Sequence, residues 1–203
     1  MSISKSPMRK GGFVALSAIA CVLAFLQFFS SFFYYSYDAD GALSLTIPVL
    51  KELAAPFLAL VACVLLLPVA ISVQKKQKLS PLGAVACWVM ALSFLAEPVF
   101  HYQSLSSLYI AACVLICAVL ITAGLLSINQ LRSIVMPLVV LVIGVAFAVY
   151  QFVDALPLLQ NYWQKNEAVF VIGTVAACLV PPVFCVTLPL LELCKPRLAP
   201  EAE

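Results

Sequence analysis

The chain of 203 residues is 65% hydrophobic and 10% charged, against about 45–50% and about 25% for an ordinary soluble domain. Its mean hydropathy of +1.12 means more apolar surface than one globular core can hide from water, so its main solvent is lipid. That excludes a soluble enzyme, a secreted disulfide module and a disordered chain, and a formal charge of +2 gives no reason to expect nucleic acid as a partner.

Six apolar runs follow one another along the chain, at 13–34, 53–73, 82–100, 105–128, 134–152 and 168–193. Each approaches or exceeds the ~20 residues that cross a hydrocarbon core as a helix. Helix is the required form, because lipid offers backbone N–H and C=O groups no partner and nothing here alternates as a barrel strand would. The fold class expected is an all-α integral membrane protein, a single domain of six transmembrane helices.

The first run follows Lys5, Arg9 and Lys10 and is trailed by Tyr34, Tyr35 and Tyr37. Ser17-Ala18-Ile19-Ala20-Cys21 loosely fits a lipoprotein processing box, but another dozen apolar residues come after it. The run therefore reads as an uncleaved helix. Ala20 and Ala24 share a small-residue face suited to helix packing. The second run carries Pro56 and ends before Lys75, Lys76 and Lys78. The third ends in Glu97, Pro98 and His101, with the acid and the lone histidine four residues apart on one helix face. They read either as a polar pair facing lipid headgroups or as a proton or metal site.

The fourth run places Cys113, Cys117 and Gly124 on one small-residue face, and Arg132 follows it. The fifth carries Pro137 and is flanked by Asp154. The sixth opens after Tyr162, Trp163 and Glu167 and holds a second small-residue pair, Gly173 and Ala177. Pro181 and Pro182 lie near its middle, each lacking an N–H and opposing the carbonyl four residues back, at Ala177 and Cys178. This double proline predicts a kinked or broken sixth helix.

Nine of the eleven basic residues fall at the two termini and in the second and fourth loops, leaving Lys51 and Lys165 on the other face. The positive-inside rule then puts both termini in the cytoplasm, and the compact, short-tailed chain suits a bacterial cytoplasmic membrane. The opposite face is acidic, with Asp38, Asp40, Glu52, Glu97, Asp154 and Glu167. Such a rim favours a cationic or neutral solute.

The eight cysteines include seven within the runs and no Cys-x-x-Cys pair, so they read as packing residues and not as redox groups. One histidine excludes a bis-histidine haem and any multi-histidine metal site. No catalytic constellation is found, and no cofactor or metal is expected. Leu95-Ala96-Glu97-Pro98-Val99-Phe100 can be laid on Leu179-Val180-Pro181-Pro182-Val183-Phe184, and Pro56 on Pro137, as in a three-plus-three inverted repeat. Against that, the string Ala-Cys-Val-Leu recurs at Ala20, Ala62 and Ala112, which no three-helix repeat accommodates.

In size, span number and sidedness the chain is similar to the small membrane-embedded substrate-capture subunits of vitamin importers, a likeness of architecture that covers no motif. It implies a partner docking on small residues of the first helix, with Ala20 and Ala24 in the matching place. Two functions follow from the residues. One is a small-solute transport component, autonomous or bound to other membrane subunits, with Glu97, His101, Asp154, Ala177, Cys178, Pro181 and Pro182 as candidate substrate contacts. The other is an accessory or scaffold protein acting through helix–helix contacts, with lipid, other subunits or a second copy as its partners. A polar cavity at depth would favour the first, and a dry bundle with an exposed small-residue groove the second.

Overall fold

In the computed structural model the chain is all-helical, and the structure describes residues 6–36, 43–74, 81–101, 103, 105–128, 135–165 and 167–194. Asp38, Asp40 and Tyr37, Lys5, the second-loop lysines, Arg132, Lys195 and Arg197 lie outside the described residues. The helices are α1 (Ser6–Ser36), α2 (Ile47–Gln74), α3 (Leu82–His101), α4 (Ser107–Ile128), α5 (Val135–Gln164) and α6 (Ala168–Cys194). All six are long and apolar enough to cross a membrane.

Local chemistry sets several of their ends. Pro48 stands in the first turn of α2, where a missing N–H matters least, and the Thr46 carbonyl accepts from Leu50 N–H at 3.0 Å. Ser106 caps α4, its Oγ accepting the Tyr109 N–H at 3.2 Å. Glu167 precedes α6, its carbonyl accepts from Phe170 and Val171, and its charge suits a helix N-terminus. The Glu167 N–H donates to the Tyr162 carbonyl at 3.0 Å, folding α5 into α6 through a tight turn.

The helices form a ring in sequence order, each packed on the next, with α6 returning to lie along α1. Phe13 near the start of α1, Val69 and Val73 near the end of α2, Leu82 at the start of α3 and Leu191 near the end of α6 share one cluster. That end of the ring, where the chain enters and leaves, is sealed by apolar contact. The main core lies above it and draws on all six helices, through residues such as Ala24, Leu66, Met90, Ile116, Val140 and Phe184. Around the outside run exposed large apolar side chains, including Val22, Phe57, Val114, Val142, Val153 and Ile172. So wide an apolar surface is what a lipid-facing bundle presents and a soluble one does not.

Close helix approach is set by small residues. A Cβ at Gly173 of α6 would run into Ser30 of α1, one at Gly144 of α5 into Cys185 of α6, and one at Gly124 of α4 into Trp88 of α3. The Trp88 indole also donates across that seam to the Ile121 carbonyl at 3.3 Å. Ala20 and Ala24 are fully buried in the core, with Cys113 and Cys117 buried on α4. The small-residue faces are thus consumed inside the chain, and the first-helix docking face implied by the architectural likeness is not on the surface. Its alanines are spent on packing α1 inward.

Of the two forms expected for the sixth helix, the broken one is corrected. Helix α6 is unbroken from Ala168 to Cys194, through Pro181, Pro182 and Pro189. Unwinding would release further backbone groups into lipid, whereas continuing the helix forfeits only the bonds the prolines cannot make. The inverted repeat also fails as a packing symmetry. Helices α1 and α2 pack extensively, but their counterparts α4 and α5 touch sparsely. Bulky rings fill that seam, with Tyr109 of α4 against Phe147 and Tyr150 of α5 at centroid separations of 5.7 and 5.9 Å.

The glycine contacts give a direct test. Gly144→Ala and Gly173→Ala should each destabilise the bundle by about 1–3 kcal/mol, as overpacking does, while Gly11→Ala, whose Cβ meets nothing within 4 Å, should be neutral. Adding Ser30→Gly to Gly173→Ala should recover most of the loss, read as the unfolding midpoint in denaturant titration.

Candidate functional site

At the end of the ring away from the chain termini the helices diverge around a cavity of about 600 Å³, within the ~300–1,000 Å³ range of small-molecule sites. Every helix contributes to its wall: Gln27 and Tyr35 from α1, Glu52 from α2, Glu97 and His101 from α3, Tyr109 from α4, Gln151 and Asp154 from α5, and Ala177 and Cys178 from α6. Lys51, Glu52 and Asp154, which sequence alone puts in loops, stand on helices. Helix α2 begins earlier than the apolar run, at Ile47, and α5 continues through Asp154 and Pro157 to Gln164. Hydropathy registers where the polar lining starts, not where the helix stops.

Below this chamber is a smaller one of about 60 Å³, bordered by Gln27, Ser93, Phe94, Glu97, Tyr109, Gln151 and Pro181. At ~1.5 Å rise per residue, Gln151 on α5 and Pro181 on α6 lie about 20 Å along their helices from the cavity end. The floor is therefore near the middle of α5 and α6, while Glu97 and Tyr109 reach it from close to the cavity-side ends of α3 and α4.

Glu97 and Ala177 border both chambers. Glu97, His101, Asp154, Ala177 and Cys178 all line the outer chamber, Pro181 lines the inner one, and Pro182 lines neither. The prolines remove the donors that would ordinarily serve the Ala177 and Cys178 carbonyls, so the two residues robbed of backbone bonds are also cavity residues. Glu97 and His101 each have a partner on a neighbouring helix. Glu97 Oε2 accepts the Tyr109 hydroxyl, and His101 Nε2 lies 3.3 Å from Glu52 Oε1. Each is tied to a neighbouring helix across the cavity mouth.

Glu97, Tyr109 and Gln151 form a connected set. The Gln151 side chain hydrogen-bonds the Tyr109 hydroxyl, which itself donates to Glu97. The Tyr109 ring is held by Phe147 and Tyr150, and Phe147 meets Phe94 edge-on at 5.2 Å. In contrast, the side-chain oxygens of Gln27 and Gln151 are buried with no hydrogen-bond partner. A buried acceptor left unmet costs about 1–3 kcal/mol. Both oxygens belong to residues that border the inner chamber.

Gln27, Gln151 and Tyr109 escape a reading that looks for charge. Their signal was nonetheless there, as amides and a phenol interrupting apolar runs. Electrostatically the lining sets Glu52, Glu97 and Asp154 against the single lysine Lys51. Among the described residues, no group of three or more His, Cys, Asp or Glu comes together to hold a metal ion. Comparison with protein-family models, with curated proteins and with solved structures finds no match to the chain.

The cavity predicts a pattern of water access. In a cysteine-depleted background, Thr174→Cys on the cavity wall should react with a membrane-impermeant maleimide in intact membranes, and Ile172→Cys on the lipid face should not. Equal protection of the two positions would mean the cavity is closed to water.

Proposed function

We propose that this polytopic membrane protein is a small-solute transport component that captures a cationic or neutral polar solute in the cavity between its helices. The observation that supports the reading is the placement of unpaired Gln27 and Gln151 oxygens on a polar cavity inside an otherwise apolar bundle, with the Glu97 carboxylate beside them one turn from the cavity-side end of α3. Polar groups in such a place are costly, and they commonly mark a solute or ion pathway. The positive-inside bias supports an orientation with the cavity open to the cell exterior and both termini cytoplasmic, in a bacterial cytoplasmic membrane.

The chemistry of capture follows from the lining. Three carboxylates raise the local concentration of cations at the mouth. Carbonyls at Ala177 and Cys178, released by Pro181 and Pro182, add acceptors on the α6 side, in the manner of proline-interrupted helices in transporters. A scaffold reading would instead draw on small-residue faces left on the surface, and here Ala20, Ala24, Gly124 and Gly173 serve the bundle's own packing.

Native mass spectrometry of the protein extracted from its own membrane in mild detergent tests this. A retained small molecule is expected, either alone or with an energising subunit. The double substitution Pro181→Ala with Pro182→Ala should preserve the helical fold and lose that molecule. A wild-type chain that carries lipid alone would argue for the scaffold.

A further inference from the structure

The inner chamber is too small for a whole solute and too well furnished for a packing defect. Resting on the capture reading above, we propose that it is a recognition subsite for a protonated amine, with the rest of the solute lying in the outer chamber. A volume of about 60 Å³ is close to that of two waters at ~30 Å³ each, which suits an ammonium head with one carbon attached.

Its walls supply the three things such a head needs. Among the described residues Glu97 is the only carboxylate on the inner chamber, and it also borders the outer one, so it provides a counter-charge at the junction. The Gln27 and Gln151 side-chain oxygens, from the two helices that flank α6, are acceptors in want of donors, and an –NH₃⁺ carries three. Phe94 and Tyr109 add aromatic surface, which attracts organic cations. The Tyr109 hydroxyl is turned to Glu97 and its oxygen is met by Gln151, leaving the carboxylate held in place from one side.

Other occupants fit less well. An anion would meet Glu97 and two carbonyl-type oxygens. A divalent metal would want several anionic ligands, and the inner chamber has one. A neutral apolar group would leave both amide oxygens unmet. The Ser93 hydroxyl is already directed to Met90 Sδ, at 3.8 Å, and makes no competing demand.

The test is a ligand-observed NMR titration of the protein in lipid nanodiscs, using methylammonium, tetramethylammonium and sodium chloride at matched ionic strength. Methylammonium should bind saturably but weakly, with a Kd of about 10 mM. Tetramethylammonium, which has charge but no N–H, should bind at least tenfold more weakly, and sodium should not compete. Glu97→Gln should weaken methylammonium at least tenfold. Because that variant also alters the Tyr109 bond, Gln27→Met provides a second reading. It should bind several-fold more weakly while melting at the same temperature or higher, since it removes an unmet oxygen. Preference for tetramethylammonium or sodium, no saturable methylammonium binding, or wild-type binding by Gln27→Met would each overturn the subsite. A neutral or anionic solute retained in native mass spectrometry would overturn the amine and leave the capture cavity standing. Lipid alone would overturn both.

Discussion

Backbone hydrogen bonding in a medium that supplies none is the constraint from which the rest of this structure follows. It makes each apolar run a helix, and it holds α6 together through three internal prolines. It also dictates where polar side chains can go. On the outside of the ring an amide or a carboxylate would meet acyl chains, so Gln27, Gln151, Glu97 and Tyr109 turn to the interior. A bundle packed throughout like its sealed end, where Phe13 meets Leu191 and Val69, could not accommodate them. Divergence of the helices at the other end creates the space they occupy.

The two ends therefore do different work with the same helices. Toward the chain termini, alanine, glycine and cysteine allow backbones to approach closely, as at Gly144 against Cys185. Toward the cavity, the spacing residues are aromatic. Tyr109, Phe147 and Tyr150 hold α4 and α5 apart while still filling the seam. Gly173 against Ser30 shows that close packing of α6 on α1 extends to the level of the cavity wall, since Thr174 and Ala177 next to it already line the chamber. The α1–α6 seam is thus a firm wall of the site.

How much of this could be read from the sequence depends on which physical signal each feature leaves. The helices were legible because hydropathy reports them almost directly, and the boundaries of α3 and α6 agree to within a residue. The end of α5 was not, because Asp154 and Pro157 look like a loop until their helix is seen to continue beside the cavity. Glu97, His101, Asp154, Ala177 and Cys178 stood out individually as rare charge or lost backbone bonds, and they do come together. That they share one cavity depends on the ring order, which no local pattern encodes. The glutamines were overlooked for a related reason. A neutral amide hardly perturbs a hydropathy window, yet in a buried cavity its unmet oxygen is a costly group. Pro182 was singled out on the same grounds as Pro181, but helical periodicity turns it away from both chambers.

Size sets a limit on what the inner chamber can do alone. The best very small ligands gain about 1.5 kcal/mol per non-hydrogen atom, so a two-atom amine head is bound by about 3 kcal/mol, weaker than the ~4.1 kcal/mol of a millimolar complex. A solute captured at micromolar concentration needs roughly twice a millimolar binding energy, and that has to come from the outer chamber. Its lining is suited to provide it, through Asp154 and the His101–Glu52 pair at the mouth and the Ala177 and Cys178 carbonyl positions on α6. Division between a small charge-reading pocket and a wide polar vestibule also separates two properties. On the proposed reading, discrimination for the amine rests with Glu97, Gln27 and Gln151, while affinity and the identity of the remaining solute rest with the vestibule.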